Sequence, residues 1–245
     1  MKENKYDDNT FFQKYSQMSR SQKGLAGAGE WATLEKLLPG FKGKRVLDLG
    51  CGYGWHCVYA MENGASSVVG VDISSKMLEV AKEKTPFPQI EYRNCAIEEV
   101  DFPAGSFDII LSSLAFHYIE AYEDLVKNLH RMLKPNGTLV FTVEHPTFTA
   151  YGTQDWYYDE RGQIMHFPVD NYYYEGQRIA GFLGEKVIKY HRTLTTYLNT
   201  LITNGFSLNQ VVEPQPPENM VDMPGMKDEM RRPMMLIISA KKGDR

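Results

Sequence analysis

The chain has 245 residues, enough for one sizeable domain, and its 42% hydrophobic and 24% charged content is ordinary for a globular protein. A net charge of −4 argues against nucleic acid as the main partner, because phosphate contacts need a basic face. The three cysteines form no C-x-x-C pair, the N-terminus is not a signal peptide, and no apolar run approaches the ~20 residues of a membrane span. We therefore expect a cytoplasmic protein without a membrane span.

Residues 1–43 are predicted to form helices that lie on the fold before the sheet begins. Large apolar side chains recur there at helical spacing, at Phe11, Phe12, Tyr15 and Met18. A second helix is predicted from Glu30 to Leu38, where a Pro-Gly pair ends it.

The first predicted strand covers residues 45–49 and runs into a glycine-rich turn. Glycine occupies alternate positions of that turn, at Gly50, Gly52 and Gly54. Glycine permits positive φ angles and lets a ligand approach the backbone closely. A helix predicted to begin at Trp55 would place its free N–H groups beside the turn. This arrangement is typical of nucleotide binding at the carboxyl end of the first strand of a doubly wound sheet.

Two details of this region narrow the choice of nucleotide ligand. The dinucleotide fingerprint G-x-G-x-x-G requires a third glycine at a position where this chain has Trp55. Asp48, two residues before the first glycine, would repel a pyrophosphate and suits a cationic ligand. The second predicted strand, residues 67–72, ends in Asp72, an acid that can accept both ribose hydroxyls of an adenosine. Together these features indicate S-adenosylmethionine, which has a ribose, a positive sulfonium and no phosphate.

Strands and helices continue to alternate along the chain, which predicts a parallel sheet with right-handed crossovers. Further strands are predicted at 90–94, 107–112, 138–143, 206–212 and 234–240. Helices are predicted at 55–63, 76–84, 125–133, 191–204 and 225–231. The fold class is therefore α/β, with helices on both faces of the sheet.

Four motifs in this order resemble a known family. Residues 48–54 and 70–74 resemble motifs I and II of the class I S-adenosylmethionine-dependent methyltransferases, and residues 107–110 and 133–137 resemble two later motifs. The resemblance covers residues 44–143 and is greatest to the small-molecule branch that includes ubiquinone and menaquinone biosynthesis methyltransferases. It implies a Rossmann-like sheet of seven strands, mostly parallel, in the order 3-2-1-4-5-7-6, with the last two strands as an antiparallel hairpin.

The resemblance also implies which residues bind the cofactor. N-terminal helices often cover the cofactor in this family, so Arg20 is expected on the methionine carboxylate; the alternative is that Tyr15 packs and Arg20 is a solvated charge. Cys95 replaces the acid that usually contacts adenine, which leaves backbone groups of Ala96 or Ile97 for that contact. The expected cofactor-binding set is Tyr15, Arg20, Asp48, Gly50, Cys51, Gly52, Asp72, Ile73, Met77, Ala96, Ile97, Ser112 and Leu114.

The alternating pattern stops after the fifth strand, which divides the chain into helices (1–43), a cofactor-binding core (44–146), an insertion (147–190) and a C-terminal part (191–245). The insertion is predicted to contain short strands and loops that cap the carboxyl edge of the sheet. Its aromatic residues include Phe148, Tyr151, Trp156, Tyr157, Tyr158, Phe167, Tyr172, Tyr173 and Tyr174. They can line an acceptor pocket, form a small core of their own, or do both.

Methyl transfer from a sulfonium is an in-line displacement, in which the protein aligns the acceptor and excludes water. A base is needed only when the acceptor must lose a proton. The candidates are His117 after the fourth strand and Glu144 or His145 after the fifth; we prefer His145, and a structural role is the alternative for each histidine. The histidines and cysteines show no metal-ligand spacing.

Three functions are compatible with these features. The first is methyl transfer to a small molecule, aromatic or amphipathic in character. The second is non-catalytic binding of S-adenosylmethionine or S-adenosylhomocysteine by the same fold. The third, a nicotinamide oxidoreductase, is disfavoured by Trp55 and Asp48.

Overall fold

The structure, a computed structural model, describes residues 4–223 and 225–243. Its helices are α1 (Asn9–Ser16), α2 (Ser19–Lys23), α3 (Trp31–Leu37), α4 (Trp55–Glu62), α5 (Ser75–Lys84), α6 (Tyr122–Met132), α7 (Pro146–Thr149), α8 (Leu194–Thr203) and α9 (Met226–Glu229). Its strands are β1 (Arg45–Leu49), β2 (Ser67–Asp72), β3 (Ile90–Asn94), β4 (Phe107–Ser113), β5 (Leu133–Glu144), β6 (Tyr157–Tyr158), β7 (Ile164–His166), β8 (Gly176–Phe182), β9 (Glu185–His191), β10 (Phe206–Val212) and β11 (Met235–Lys242).

Seven of these strands form the main sheet, in the order β10-β11-β5-β4-β1-β2-β3. The five strands from β3 to β5 pair in parallel, whereas β11 runs antiparallel to both β5 and β10. Because β10 and β11 are the sixth and seventh strands of this sheet along the chain, the predicted order 3-2-1-4-5-7-6 is confirmed.

Helices cover both faces of the sheet, so its central strands are buried on both sides. β1 shows this most clearly, because Val46, Leu47 and Leu49 are all fully buried although they point to opposite faces. One core contains the apolar side of α6 and the other contains Cys57 and Ala60 of α4. Among the described residues no helix is long and apolar enough to cross a membrane.

The insertion consists mainly of two antiparallel hairpins, β6–β7 and β8–β9, outside the main sheet. The β8–β9 hairpin packs against the N-terminal helices through Phe11, Ala180 and Val187, which form a separate small core. This contact places the N-terminal segment and the hairpin together over the carboxyl edge of the sheet.

Several predicted boundaries differ from the structure, and three of the differences have a clear local cause. The helix predicted over 191–204 begins at Leu194, because β9 extends to His191 and Thr193 caps the helix by accepting from the Thr196 amide. β5 begins at Leu133 rather than at residue 138. The predicted N-terminal helix is divided at Met18, where extended backbone separates α1 from α2.

Candidate active site

The glycine turn after β1 has the backbone conformation that its sequence requires. All three of its glycines have positive φ, +73° at Gly50, +52° at Gly52 and +75° at Gly54. A Cβ at Gly50 would lie only 2.5 Å from the Cβ of Ala115. The backbone amide of Gly50 donates to the carbonyl of Val71 in β2. The turn is therefore a fixed backbone surface that tolerates no side chain at its first position.

Asp72 ends β2 beside this turn. Its carboxylate accepts hydrogen bonds from the backbone amides of Gly52 (2.8 Å) and Ser74 (2.9 Å). Burial is the main cause that raises the pKa of Asp72, to about 6. The carboxylate is thus held rigidly at the carboxyl end of the sheet and is ionised at neutral pH.

A cavity of about 520 Å³ opens over this edge of the sheet. This volume is in the usual range for small-molecule sites. The cavity is lined by ten of the residues predicted to bind the cofactor, namely Tyr15, Arg20, Gly50, Gly52, Asp72, Ile73, Met77, Ala96, Ile97 and Leu114. They come from the N-terminal helices, from the ends of four parallel strands and, in the case of Met77, from α5. We call this part of the cavity the cofactor half.

Three predicted residues do not line this cavity. Asp48 is buried behind the turn, where Cys57 Sγ donates to it at 3.3 Å and burial raises its pKa to about 7. Cys51 instead lines a smaller neighbouring cavity of about 70 Å³. Ser112 donates to the carbonyl of Leu49 at 2.8 Å, and its neighbour Ser113 lines the cavity. Since side chains alternate along a strand, the Ser112 side chain points to the face of β4 opposite to that of Ser113.

Arg20 is not the solvated charge of the alternative interpretation. Its Nη2 lies 2.8 Å and 2.9 Å from the two carboxylate oxygens of Glu30, and Glu30 is only 3% exposed. Arg20 and Tyr15 line both the main and the smaller cavity. Both bonds use Nη2. The N–H groups on Nε and Nη1 of Arg20 make no hydrogen bond to any described residue, so they remain for a ligand.

The opposite part of the cavity, which we call the acceptor half, is made by elements far apart in the chain. The β8–β9 hairpin contributes five of its side chains, and the remainder come from the N-terminal segment, the ends of β4 and β5 and the start of β11. These residues are Tyr6, His117, Tyr118, Glu144, Phe182, Val187, Ile188, Lys189, Tyr190, Met234 and Met235.

A buried ion pair ties the hairpin to the sheet. Lys189 Nζ of β9 donates to Glu144 Oε1 at the end of β5, at 2.5 Å. Gln154 of the insertion donates to Glu144 Oε2 at 2.6 Å and accepts from Lys189 at 3.0 Å. His117, Lys189 and Gln154 together hold the pKa of Glu144 below its usual value, although burial opposes them.

His117 lies beside this pair and is buried. The backbone amide of Glu144 donates to its Nδ1 at 3.3 Å, so the proton of the neutral imidazole is on Nε2. Burial is the main cause that lowers the pKa of His117, to about 4. At neutral pH the ring is therefore a hydrogen-bond donor through Nε2.

His145, the preferred candidate for a base, is directed away from the cavity. Its Nδ1 accepts from the backbone amide of Thr147 at 3.1 Å and caps α7. Its Nε2 lies 2.9 Å from Oε1 of Glu213. Both ring nitrogens are thus engaged in structural contacts, and the structure brings His117 rather than His145 to the cavity.

The aromatic residues of the insertion are also placed differently from the pocket interpretation. The rings of Phe148, Trp156 and Phe167 surround the guanidinium of Arg232, with centroids 4.5 to 4.9 Å from its central carbon. None of the nine aromatic residues named for the insertion is among the described residues that line the cavity. Of the alternatives that the sequence leaves open, this arrangement supports the small core.

The sequence interpretation missed Lys189, Tyr6 and the two methionines that begin β11. Lys189 had a weak signal, since it is the one charged residue in the run Val187 to Tyr190. Among residues 4–223 and 225–243, no group of three or more His, Cys, Asp or Glu side chains is arranged to hold a metal ion.

Comparisons with known proteins agree with this geometry. The family model described as "Methyltransferase domain" matches residues 47–141. A crystal structure from Listeria monocytogenes, described as an S-adenosylmethionine-dependent methyltransferase, is 53% identical, with a TM-score of 0.87, over 90% of this chain and 100% of that one. A second S-adenosylmethionine-dependent methyltransferase, from Mesorhizobium loti, is 41% identical, with a TM-score of 0.82, over 89% and 100%.

A ubiquinone biosynthesis O-methyltransferase from Coxiella burnetii is 36% identical over 112 residues, which are 45% of this chain and 47% of that protein. This similarity is thus limited to about half of each chain, whereas the two solved structures match over nearly their whole length. The turn without room for a side chain, and the carboxylate of Asp72 beside it, fit an adenosyl ligand without phosphate. The chain belongs to the class I S-adenosylmethionine-dependent methyltransferases, and S-adenosylmethionine is its cofactor.

Proposed function

We propose that this chain transfers the methyl group of S-adenosylmethionine to a small-molecule acceptor bound beneath the β8–β9 hairpin. The observation that carries the proposal is the continuity of the cavity, in which the cofactor half and the acceptor half open into each other. A non-catalytic binding protein would not need the acceptor half.

The cofactor half supplies contacts for each part of the cofactor. Asp72 would accept the ribose hydroxyls, and the turn at Gly50 and Gly52 would pack against the ligand. Backbone groups of Ala96 and Ile97 would meet the adenine edge. Arg20, oriented by Glu30, would donate to the methionine carboxylate through the N–H groups that are not bonded to Glu30. The bound cofactor supplies an electrophilic methyl group.

The acceptor half would orient the acceptor and exclude water. Phe182, Val187 and Ile188 offer apolar surface, and the Tyr6 and Tyr118 hydroxyls lie 3.3 Å apart in the wall. An apolar or ring-bearing molecule with a few polar groups fits such a lining. Because the hairpin covers this half, the reacting atoms would be shielded from solvent, and the acceptor would be aligned before transfer.

The test is transfer of a labelled methyl group from S-adenosylmethionine to a deproteinised metabolite extract. The parent protein should label at least one small molecule, and the Gly50→Val variant should label none because its turn cannot accept the cofactor. A parent protein that binds S-adenosylhomocysteine but labels nothing in extracts of several bacteria would instead support non-catalytic binding.

A further inference from the structure

The polar groups of the acceptor half are mainly hydrogen-bond donors. His117 lines the cavity, and its remaining polar group is the Nε2–H donor, because its Nδ1 accepts from the amide of Glu144. Lys189 has three ammonium protons, of which Glu144 and Gln154 take two. The buried carboxylate of Glu144 can only accept hydrogen bonds, and both of its oxygens already do so, one from Lys189 and the other from Gln154.

These engagements leave the buried groups unsuited to removing a proton from an acceptor. His117 would have to receive the proton on the nitrogen that already carries one. Glu144 is paired with Lys189, and His145 lies outside the cavity. The carboxylates of Glu98 and Glu120 also line the cavity but are solvent-exposed.

The hydrogen-bond donors of His117 and Lys189 also discriminate among methyl acceptors that can react without losing a proton to a base. A neutral amine has a single lone pair, which cannot accept a hydrogen bond from His117 and attack the methyl group at the same time. A carboxylate has about four lone-pair sites and is already ionised at neutral pH. It can accept from His117 and Lys189 with some lone pairs and attack with another.

We propose that the methyl acceptor is a carboxylate, held by Nε2–H of His117 and by the Lys189 ammonium, and that the product is a methyl ester. The proposal rests on the proposed function. In the transfer a carboxylate oxygen forms a bond to the methyl carbon, and the carbon–sulfur bond breaks with its electron pair going to sulfur. One negative and one positive charge become two neutral groups, and no proton is released. The rim carboxylates Glu98 and Glu120 disfavour a second negative charge on the outer part of the acceptor.

The stability of the labelled product in base tests this bond directly. After transfer to a metabolite extract, brief treatment with sodium hydroxide hydrolyses methyl esters to volatile methanol but leaves methyl ethers and N-methyl groups intact. We expect most of the transferred label to become volatile. Label that stays non-volatile after this treatment would overturn the proposal, while leaving the methyltransferase function in place.

A binding experiment tests the donors without requiring turnover. The protein saturated with S-adenosylhomocysteine is titrated calorimetrically with benzoate, benzamide and benzylamine, which share one ring and differ in charge. Benzoate should bind best, and the His117→Phe variant should bind it roughly tenfold or more weakly, because a charge-assisted hydrogen bond is lost. The His117→Gln variant keeps a donor near the Nε2 position and should recover part of the affinity.

His130→Phe provides the matched control, because His130 lies on α6 against Phe206 and does not line the cavity. It should bind benzoate like the parent. A melting temperature that rises with S-adenosylhomocysteine shows that each variant is folded. Preferred binding of benzamide or benzylamine, or unchanged benzoate affinity in folded His117→Phe, would refute the carboxylate assignment. Failure of S-adenosylhomocysteine to bind the parent would refute the proposed function itself.

Discussion

Replacing Asp72 by Asn tests the cofactor half at the residue on which the ribose contact depends. The side chain keeps its size and one oxygen but loses its charge. The structure predicts two separate effects, because the carboxylate holds the amides of Gly52 and Ser74 and also faces the cavity. An amide can accept from only one of those N–H groups, so stability should fall by about 1 kcal/mol.

The loss of cofactor affinity should be larger than the loss of stability. Two hydroxyl donors to an ionised carboxylate contribute about 1.5–3 kcal/mol each, but this carboxylate already shares its oxygens with two amides. We therefore expect a total at or below the lower end of their sum, about 2–3 kcal/mol, which is roughly a 30- to 160-fold higher Kd for S-adenosylhomocysteine.

Calorimetric titration at a temperature well below the melting midpoint measures this Kd. The matched control is Asp108→Asn, since Asp108 also accepts from a backbone amide, that of Arg45, but does not line the cavity. It should bind S-adenosylhomocysteine like the parent. A folded Asp72→Asn variant with unchanged affinity would refute the ribose contact and remove Asp72 from the site.

Three further predictions concern the turn, pH and the insertion. Gly50→Val should abolish S-adenosylhomocysteine binding in calorimetry, because φ is +73° and a Cβ would lie 2.5 Å from that of Ala115; normal affinity would place the cofactor elsewhere. Since burial raises the pKa of Asp72 to about 6, affinity should be constant above that pH and fall by up to about tenfold per unit below it, as the carboxyl protonates. The Asp72→Asn variant should lack this fall. Replacing residues 157–166 with a short Gly-Ser loop should lower the melting temperature, because Arg231 donates to the carbonyls of Ile164 and Met165 in this hairpin, but should leave cofactor affinity and methyl transfer intact; loss of transfer would show that the β6–β7 hairpin contacts the acceptor.

The main sheet could be predicted because each parallel strand carries its own signal. A strand buried on both faces is a short apolar run, and glycine, proline or helix-capping residues mark the turn or helix that follows it. The start of β5 was missed for the same reason: Pro135 and Gly137 indicate a turn, but the chain continues as a strand through them. There Asn136 adopts a positive φ of +61° and Leu133 already pairs with Phe107 of β4.

The cofactor half was predictable for a related physical reason. Its residues follow directly after strands, and in a parallel sheet the carboxyl ends of neighbouring strands meet at one edge. Asp72 and Gly50 were therefore expected together although 22 positions separate them in the sequence. The sequence does not show whether Ser112 or Ser113 lines the cavity, because β4 is apolar on both faces.

Of the acceptor half, only His117 and Glu144 at strand ends could be predicted, because its other contacts depend on how the insertion folds back over the sheet. Glu144 and Lys189 are 45 positions apart, and neither residue alone indicates that it is buried. Removing one partner of such a pair costs about 3–5 kcal/mol, since the other is left as an uncompensated buried charge. The β8–β9 hairpin is therefore held over the cavity by a contact whose loss is costly. Under the carboxylate proposal, this contact also fixes the acceptor that the cavity selects, because it determines which donors of His117 and Lys189 remain for a bound molecule.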